Sequence, residues 1–260
     1  MVNITSERDS RLDIFRGIPD RDLRSEGIMI VEGRFCVERC LAAGFDVMAI
    51  LCEQGRHGEL AALNGRAPVY CVESDVMRRI AGYDFHRGVM ASARRPAAAP
   101  LDGFLASVPA GAPLGIACVD RSASGENLGS IIRSAHAFGY HAVVAAGSAD
   151  IFGRRVIRVS AGSVFSIPVF EADDMGEALR ALRGAGCRLV AAVTDPGSVP
   201  LGSCAVPRRV AVLFGSEGSG LPDDLTGLCD EAVHVPMIDA IDSLNLAVAA
   251  GIILHRFRPG

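Results

Sequence analysis

The chain has 260 residues, half of them hydrophobic, and a formal net charge of −4. This apolar content excludes wholesale disorder and suffices for one large domain or two of ordinary size, while the negative balance gives no global nucleic-acid signal. No apolar run reaches the roughly 18 residues that span a bilayer, so no membrane association is expected. The first ten residues lack a charged stretch followed by an apolar one, so no secretion signal is read and a cytoplasmic location is expected.

In chain order, residues 1–26 are polar and charge-rich and read as a surface appendage with one short helix around residues 12–17. From Gly27 the pattern alternates. A strand is predicted over 28–32, an amphipathic helix over 34–43 stopped by Gly44, strands over 46–52 and 68–72, a helix over 73–81 stopped by Gly82, and a strand over 88–93. This predicts a small α/β domain over residues 27–95. Residues 96–113, rich in Pro and Ala with few charges, read as a linker. A second domain over 114–260 has predicted strands at 114–120, 141–146, 188–193, 210–214 and 232–235, and helices at 127–138, 175–183, 222–228 and 244–257. Continuous β-branched runs between helices predict an α/β fold with a parallel sheet covered on both faces.

All 26 basic residues are arginine, which excludes a lysine phosphate loop, Schiff base or lysine general base. RNA contact would have to come from local clusters: Arg78 with Arg79, Arg94 with Arg95, and Arg154, Arg155 and Arg158. Each arginine taken singly also reads as surface solvation. The eight cysteines lie scattered in apolar runs without C-x-x-C spacing, so they read as buried free thiols and no metal is expected.

Three stretches carry chemistry. The run V-A-V-L-F-G-S-E-G-S-G-L (210–221) is a buried strand that breaks into Gly215, Gly218 and Gly220. Such a loop exposes main-chain groups that can hold a small polar ligand, and taken alone it is equally a tight turn. G-x-x-G-x-G on a late strand, with no acidic ribose partner, disfavours a nicotinamide-dependent oxidoreductase. Glu217 either faces a ligand crevice or caps the helix after Leu221. In E-N-L-G-S-I-I-R-S-A-H-A-F-G (126–139), Asn127 sits where a strand has ended and can serve as N-cap. Arg133, on a different helical face, suits a phosphate or ribose edge, or else a surface ion pair. The third stretch is V-P-M (235–237) followed by D-S-L-N-L-A-V-A-A-G (242–251). Here Asp242 or Ser243 would cap the closing helix, which leaves Asn245, a poor helix former, unexplained.

In this order and spacing the three stretches resemble the motifs of the SPOUT superfamily of methyltransferases, in its TrmH/SpoU branch. The resemblance rests on asparagine and arginine six apart, on F-G-S-E-G-x-G-L, and on V-P-M followed by S-L-N. It covers residues 114–255 and implies a C-terminal, trefoil-knotted parallel-sheet domain that forms homodimers. It also implies S-adenosylmethionine as cofactor and methylation of a ribose 2′-hydroxyl in structured RNA, rRNA being favoured over tRNA by the extra N-terminal domain. By position, Gly215, Val235 and Leu244 would contact the cofactor largely through main-chain groups, with Phe214, Gly220, Pro236 and Met237 around them. Asn127, Arg133, Glu217, Ser243 and Asn245 would form the catalytic surface. In that scheme Asn127 steers Arg133, Glu217 and Ser243 orient the ribose, and Asn245 holds the loops together.

Residues 27–95 look like the small substrate-binding domain of branch members, and Arg154, Arg155 and Arg158 fall in a segment whose arginines face RNA there. Two departures stand out. Ser124 and Gly125 replace a frequent Asp-Pro, which would loosen that loop, and Asp239 replaces a frequent glycine, which would alter the cofactor loop's turn. The competing expectation is a catalytically inactive RNA-binding protein on the same scaffold. The presence together of Asn127, Arg133, Glu217 and Ser243 argues against it.

Overall fold

The computed structural model describes residues 1–56, 67–83, 85–238 and 240–259. The chain divides into two compact units, Met1–Ala97 with Phe152–Ser166, and Ala98–Ile151 with Ile167–Gly260.

In the first unit β1 (Val2–Asn3), α1 (Asp20–Ser25), β2 (Ile28–Glu32), α2 (Arg34–Ala42), β3 (Val47–Glu53), β4 (Val69–Val72), α3 (Ser74–Ala81) and β5 (Val89–Arg94) follow in chain order. Their sheet runs β1-β4-β3-β5-β2, parallel among β1, β4 and β3 and antiparallel where β5 joins β3 and β2. The elements expected over 27–95 recur within a residue or so. Residues 1–26 do not form an appendage: β1 adds a strand, and Ile4, Leu12, Phe15 and Leu23 are buried with Leu51, Met77, Ile80 and Met90. Single apolar residues spaced between charges carry that packing, a pattern too sparse for a periodicity reading. Phe152–Ser166 also belongs here, through α6 (Arg154–Val159) packed on β2.

The second unit opens with α4 (Leu101–Ser107), inside the expected linker. Its Leu101, Phe104 and Leu105 pack against the core of this unit. There follow β6 (Leu114–Asp120), α5 (Gly125–Ala137), β7 (Ala142–Ala146), β8 (Val169–Ala172), α7 (Met175–Gly184), β9 (Arg188–Ala192), β10 (Val199–Pro200), β11 (Arg209–Phe214), α8 (Asp223–Gly227), β12 (Glu231–His234) and α9 (Leu246–Arg256).

Seven parallel strands form one sheet in the order β10-β12-β9-β11-β6-β7-β8. β6 and β7 are buried along their whole length and β11 along nearly all of it, which is why they read as continuous apolar runs. The chain leaves β6 toward β7 but leaves β11 toward β12, on the opposite side of the sheet. In open parallel sheets that reversal opens a crevice outside the strands' carboxyl ends. α9 packs along α5, and the Tyr140 hydroxyl donates to the Leu254 carbonyl at 3.2 Å.

Candidate active site at the strand carboxyl ends

The crevice is built first by the loop after β6. Arg121 takes a positive φ of 51°, its N–H donates to the Ala146 carbonyl at 2.8 Å, and its guanidinium reaches Asp120. The chain then turns inward at the fully buried Ser122. Ser124, not Asn127, is the N-cap of α5, its Oγ accepting from the Asn127 N–H at 3.3 Å. Serine and aspartate cap helices comparably, so this departure leaves the loop fastened.

Asn127 is thereby placed in the first turn of α5, with its side chain in the crevice. Its Nδ2 donates to Glu217 Oε1 at 2.8 Å, and its Oδ1 accepts from Asn245 Nδ2 at 3.2 Å. Asn245 Oδ1 accepts in turn from the N–H groups of Ala247 and Val248 at 2.9 and 3.3 Å, so Asn245 caps α9 where Asp242 or Ser243 was expected. Each amide thus donates at one end and accepts at the other, the only orientation that satisfies both. Pairs 90 and 118 residues apart in sequence are joined by this one chain of bonds.

Glu217 Oε1 also accepts from Ser122 Oγ at 2.7 Å. Glu217 therefore faces the crevice and does not cap α8, whose N-cap, Pro222, supplies no side-chain bond. Partial burial pushes its carboxyl up, but bonds from Asn127 and Ser122, with the Glu217 and Ser124 N–H groups, outweigh this and hold its pKa below the usual value. The group is an ionised, oriented hydrogen-bond acceptor at neutral pH.

The second wall is the loop after β11. Phe214 and Gly215 are buried at the strand's end, and Ser216 and Gly220 exchange two main-chain bonds of 3.1 Å across the turn. A Cβ on Gly215 would lie 2.3 Å from the Gly220 carbonyl carbon, so only glycine permits this fold-back. The third wall follows β12. Val235, Met237 and Leu244 are half-buried and Pro236 is exposed. The N–H groups of Met237 and Leu244 have no hydrogen-bond partner among the described residues. Apolar side chains with unspent main-chain donors suit S-adenosylmethionine, whose adenosine and methionine parts need both. Asp239 lies outside the described residues.

The remaining expected residues are placed differently. Arg133 is exposed on α5, about a third of a turn around the helix from Asn127, with no hydrogen bond or ion pair among the described residues. The Asn127 side-chain bonds run to Glu217 and Asn245, so steering of Arg133 by Asn127 finds no bond here. Ser243 is exposed ahead of the cap. Arg154 and Arg158 belong to the first unit, where they face the buried Glu32 at 3.8 and 3.7 Å. Arg154 also donates to the Ile18 carbonyl and faces Asp20. Both guanidinium groups thus face a buried carboxylate of the first unit, and Arg155 is exposed. Ser122 was not singled out in the sequence, where it is one serine among several and its burial is invisible. A shallow depression lined by Leu105, Val108, Gly186 and Arg209 lies at the amino ends of the strands and holds none of these residues.

Comparison with known proteins gives the family. The profile of the SpoU rRNA methylase family matches residues 116–255. A protein named a tRNA/rRNA methyltransferase of Mycobacterium bovis is 37% identical over 97% of this chain and 90% of its own length. A 23S rRNA (uridine-2′-O)-methyltransferase of Streptomyces viridochromogenes is 38% identical over 52% of this chain and 49% of its own. The crystal structure of an S-adenosylmethionine-bound rRNA methyltransferase from Sinorhizobium meliloti superimposes with a TM-score of 0.85 at 27% identity, covering 99% of this chain and 97% of that one. The chain belongs to the SpoU rRNA methylase family, whose members are S-adenosylmethionine-dependent RNA methyltransferases.

Proposed function

We propose that the second unit transfers a methyl group to a ribose 2′-hydroxyl of ribosomal RNA. The observation that carries this reading is the bonded chain Ser122–Glu217–Asn127–Asn245, which ties the three loops together at the mouth of the crevice. The methyl donor when bound supplies an already activated electrophile, so the protein's task is alignment and charge placement. Positioning of this kind is worth up to roughly 7–11 kcal/mol of barrier.

The roles divide by geometry. Gly215, Val235 and Leu244 hold the donor through main-chain groups, backed by Phe214, Gly220, Pro236 and Met237. Glu217 accepts a hydrogen bond from a ribose hydroxyl, and Ser243 presents a second polar contact at the rim. Arg133, exposed and uncommitted, holds the phosphate beside the target sugar and polarises its 2′-oxygen. A guanidinium is a poor proton acceptor, so Arg133 acts through its charge. Asn127 and Asn245 keep the loops in register.

The first unit, with Arg155 exposed, serves as an RNA-holding module. Exposed Ile238, Ile241, Val248 and Ile252 support a homodimer through the second unit, Val248 and Ile252 standing one turn apart on α9. The β11–β12 crossover, which puts β11 and β12 on opposite sides of β9, supports the knotted threading of SPOUT proteins. A ribosomal RNA substrate supports a cytoplasmic location.

The test is incorporation of labelled methyl from S-adenosylmethionine into total RNA of a strain lacking the gene. Wild-type protein should label an rRNA band and Glu217→Gln should not. Tight donor binding with no labelling of any RNA would favour a binding protein on this scaffold.

A further inference from the structure

Glu217 sits on an exposed, glycine-flanked loop, yet its carboxylate has a fixed direction. Two side chains impose it, Asn127 and Ser122, and Ser122 belongs to none of the three motif stretches. Ser122 is wholly buried, and its main chain is held on both sides. Its N–H donates to Ser148 Oγ at 3.2 Å, and its carbonyl accepts from the Ala149 N–H at 2.7 Å. The Ser148 hydroxyl faces the Val119 and Ala146 carbonyl oxygens at 3.2 and 3.1 Å. Ser122 is therefore anchored to the ends of β6 and β7.

A second observation is independent of the hydroxyl. Arg121, the residue before it, adopts the left-handed conformation, which is strained for a side-chain-bearing residue. Such a conformation persists where the surroundings impose it, and it clusters at functional sites. Here it turns the chain so that Ser122 points beneath the Glu217 loop.

We propose that Ser122 is a positioning residue for methyl transfer: its buried hydroxyl donates to Glu217 Oε1 and fixes that carboxylate, and through it the Asn127–Asn245 chain, against the end of β6. Ser122 does not touch substrate. It shares one carboxylate oxygen with Asn127. The donors that hold Glu217 in its ionised form are neutral, and no charged side chain contributes. Removing the hydroxyl therefore makes the carboxylate both less oriented and more easily protonated. The inference rests on the reading that Glu217 acts on the ribose.

The experiment compares wild type, Ser122→Ala, Ser122→Thr and Glu217→Gln, using tritiated S-adenosylmethionine and total RNA from a strain lacking the gene, with kcat/KM followed against pH. Ser122→Ala should lower kcat about tenfold, leave donor affinity by calorimetry within about twofold, and move the acid limb of the profile to higher pH. Ser122→Thr, which keeps a hydroxyl, should restore most of the rate and the position of the limb. An inactive Glu217→Gln beside a Ser122→Ala indistinguishable from wild type would overturn the role of Ser122 and leave that of Glu217 standing. Equal losses in the alanine and threonine variants, with an unmoved acid limb, would reduce Ser122 to packing and overturn it too. A fully active Glu217→Gln would instead remove the reading on which the inference rests.

Discussion

Asn245 donates to the side chain of Asn127 while its own oxygen caps the helix on which the chain ends. One residue thus performs a folding task and a site task, and the two separate by substitution. Asn245→Ala should cost about 0.5–2 kcal/mol of stability through the lost cap. Asn245→Asp keeps the cap and loses the donor. It should stay close to wild type in thermal melting yet transfer methyl slowly, because Asn127 no longer has a fixed orientation. Melting curves beside single-turnover rates check this.

Asn127→Asp makes a sharper demand. It places a second carboxylate where an amide donated to Glu217 at 2.8 Å. Like charges at that range disfavour joint ionisation, so the apparent carboxyl pKa should rise. Wild-type Glu217, with its pKa held low, stays ionised as the pH falls and is neutralised only below the ordinary carboxylate range. The variant should lose activity already in mildly acidic buffer, and a pH–rate profile displays the shift.

Two glycines of one loop should behave oppositely. Gly215→Ala drives a methyl group into the Gly220 main chain and within 2.6 Å of the Leu221 nitrogen, neither of which can swing aside as a side chain would. The expected cost is about 1–3 kcal/mol, with donor affinity falling roughly tenfold or more. At Gly218 an added Cβ meets nothing within 4 Å, and Gly218→Ala should bind like wild type. Calorimetry with S-adenosylmethionine separates the two.

Arg133 is exposed and unpaired among the described residues, so Arg133→Ala should change stability by no more than about 0.5 kcal/mol. If its charge meets the reacting sugar, methyl transfer should fall roughly a hundredfold with donor binding intact, a loss typical of removing one group aimed at a developing charge. Wild-type transfer by this variant would remove Arg133 from the site.

Ile252, 41% exposed on α9, tests the dimer. Ile252→Arg should leave the unit folded and shift sedimentation from dimer to monomer. A monomeric wild type would show that this apolar face has another purpose.

Much of the architecture was legible because the sheet of the second unit is buried on both faces: β6 and β11 read directly as unbroken apolar runs. The helix stops at Gly44 and Gly82 were equally plain. Short or sparsely apolar pieces were not. β1 pairs over two residues, and Leu12, Phe15 and Leu23 reach the core singly from charged surroundings. α4 hid in a Pro/Ala stretch because its apolar residues cover only two turns. In the site, Asn127, Glu217 and Asn245 could be named from the resemblance to the family's motifs, and the structure adds which bonds to which. The cap of α9 lies two or three residues past the expected Ser243 or Asp242, because Asp242, Ser243 and Asn245 are all good caps and only tertiary placement selects among them. Ser122 and the commitment of Arg154 and Arg158 to Glu32 depend on burial, which no local pattern encodes.

The central claim, that this crevice methylates a ribose 2′-hydroxyl of ribosomal RNA, is tested most directly by mapping 2′-O-methylated nucleotides in rRNA. The cells compared should carry the gene, lack it, or carry only Glu217→Gln. The account predicts one nucleotide methylated in the first and unmethylated in the other two. An identical methylation map in all three would contradict it.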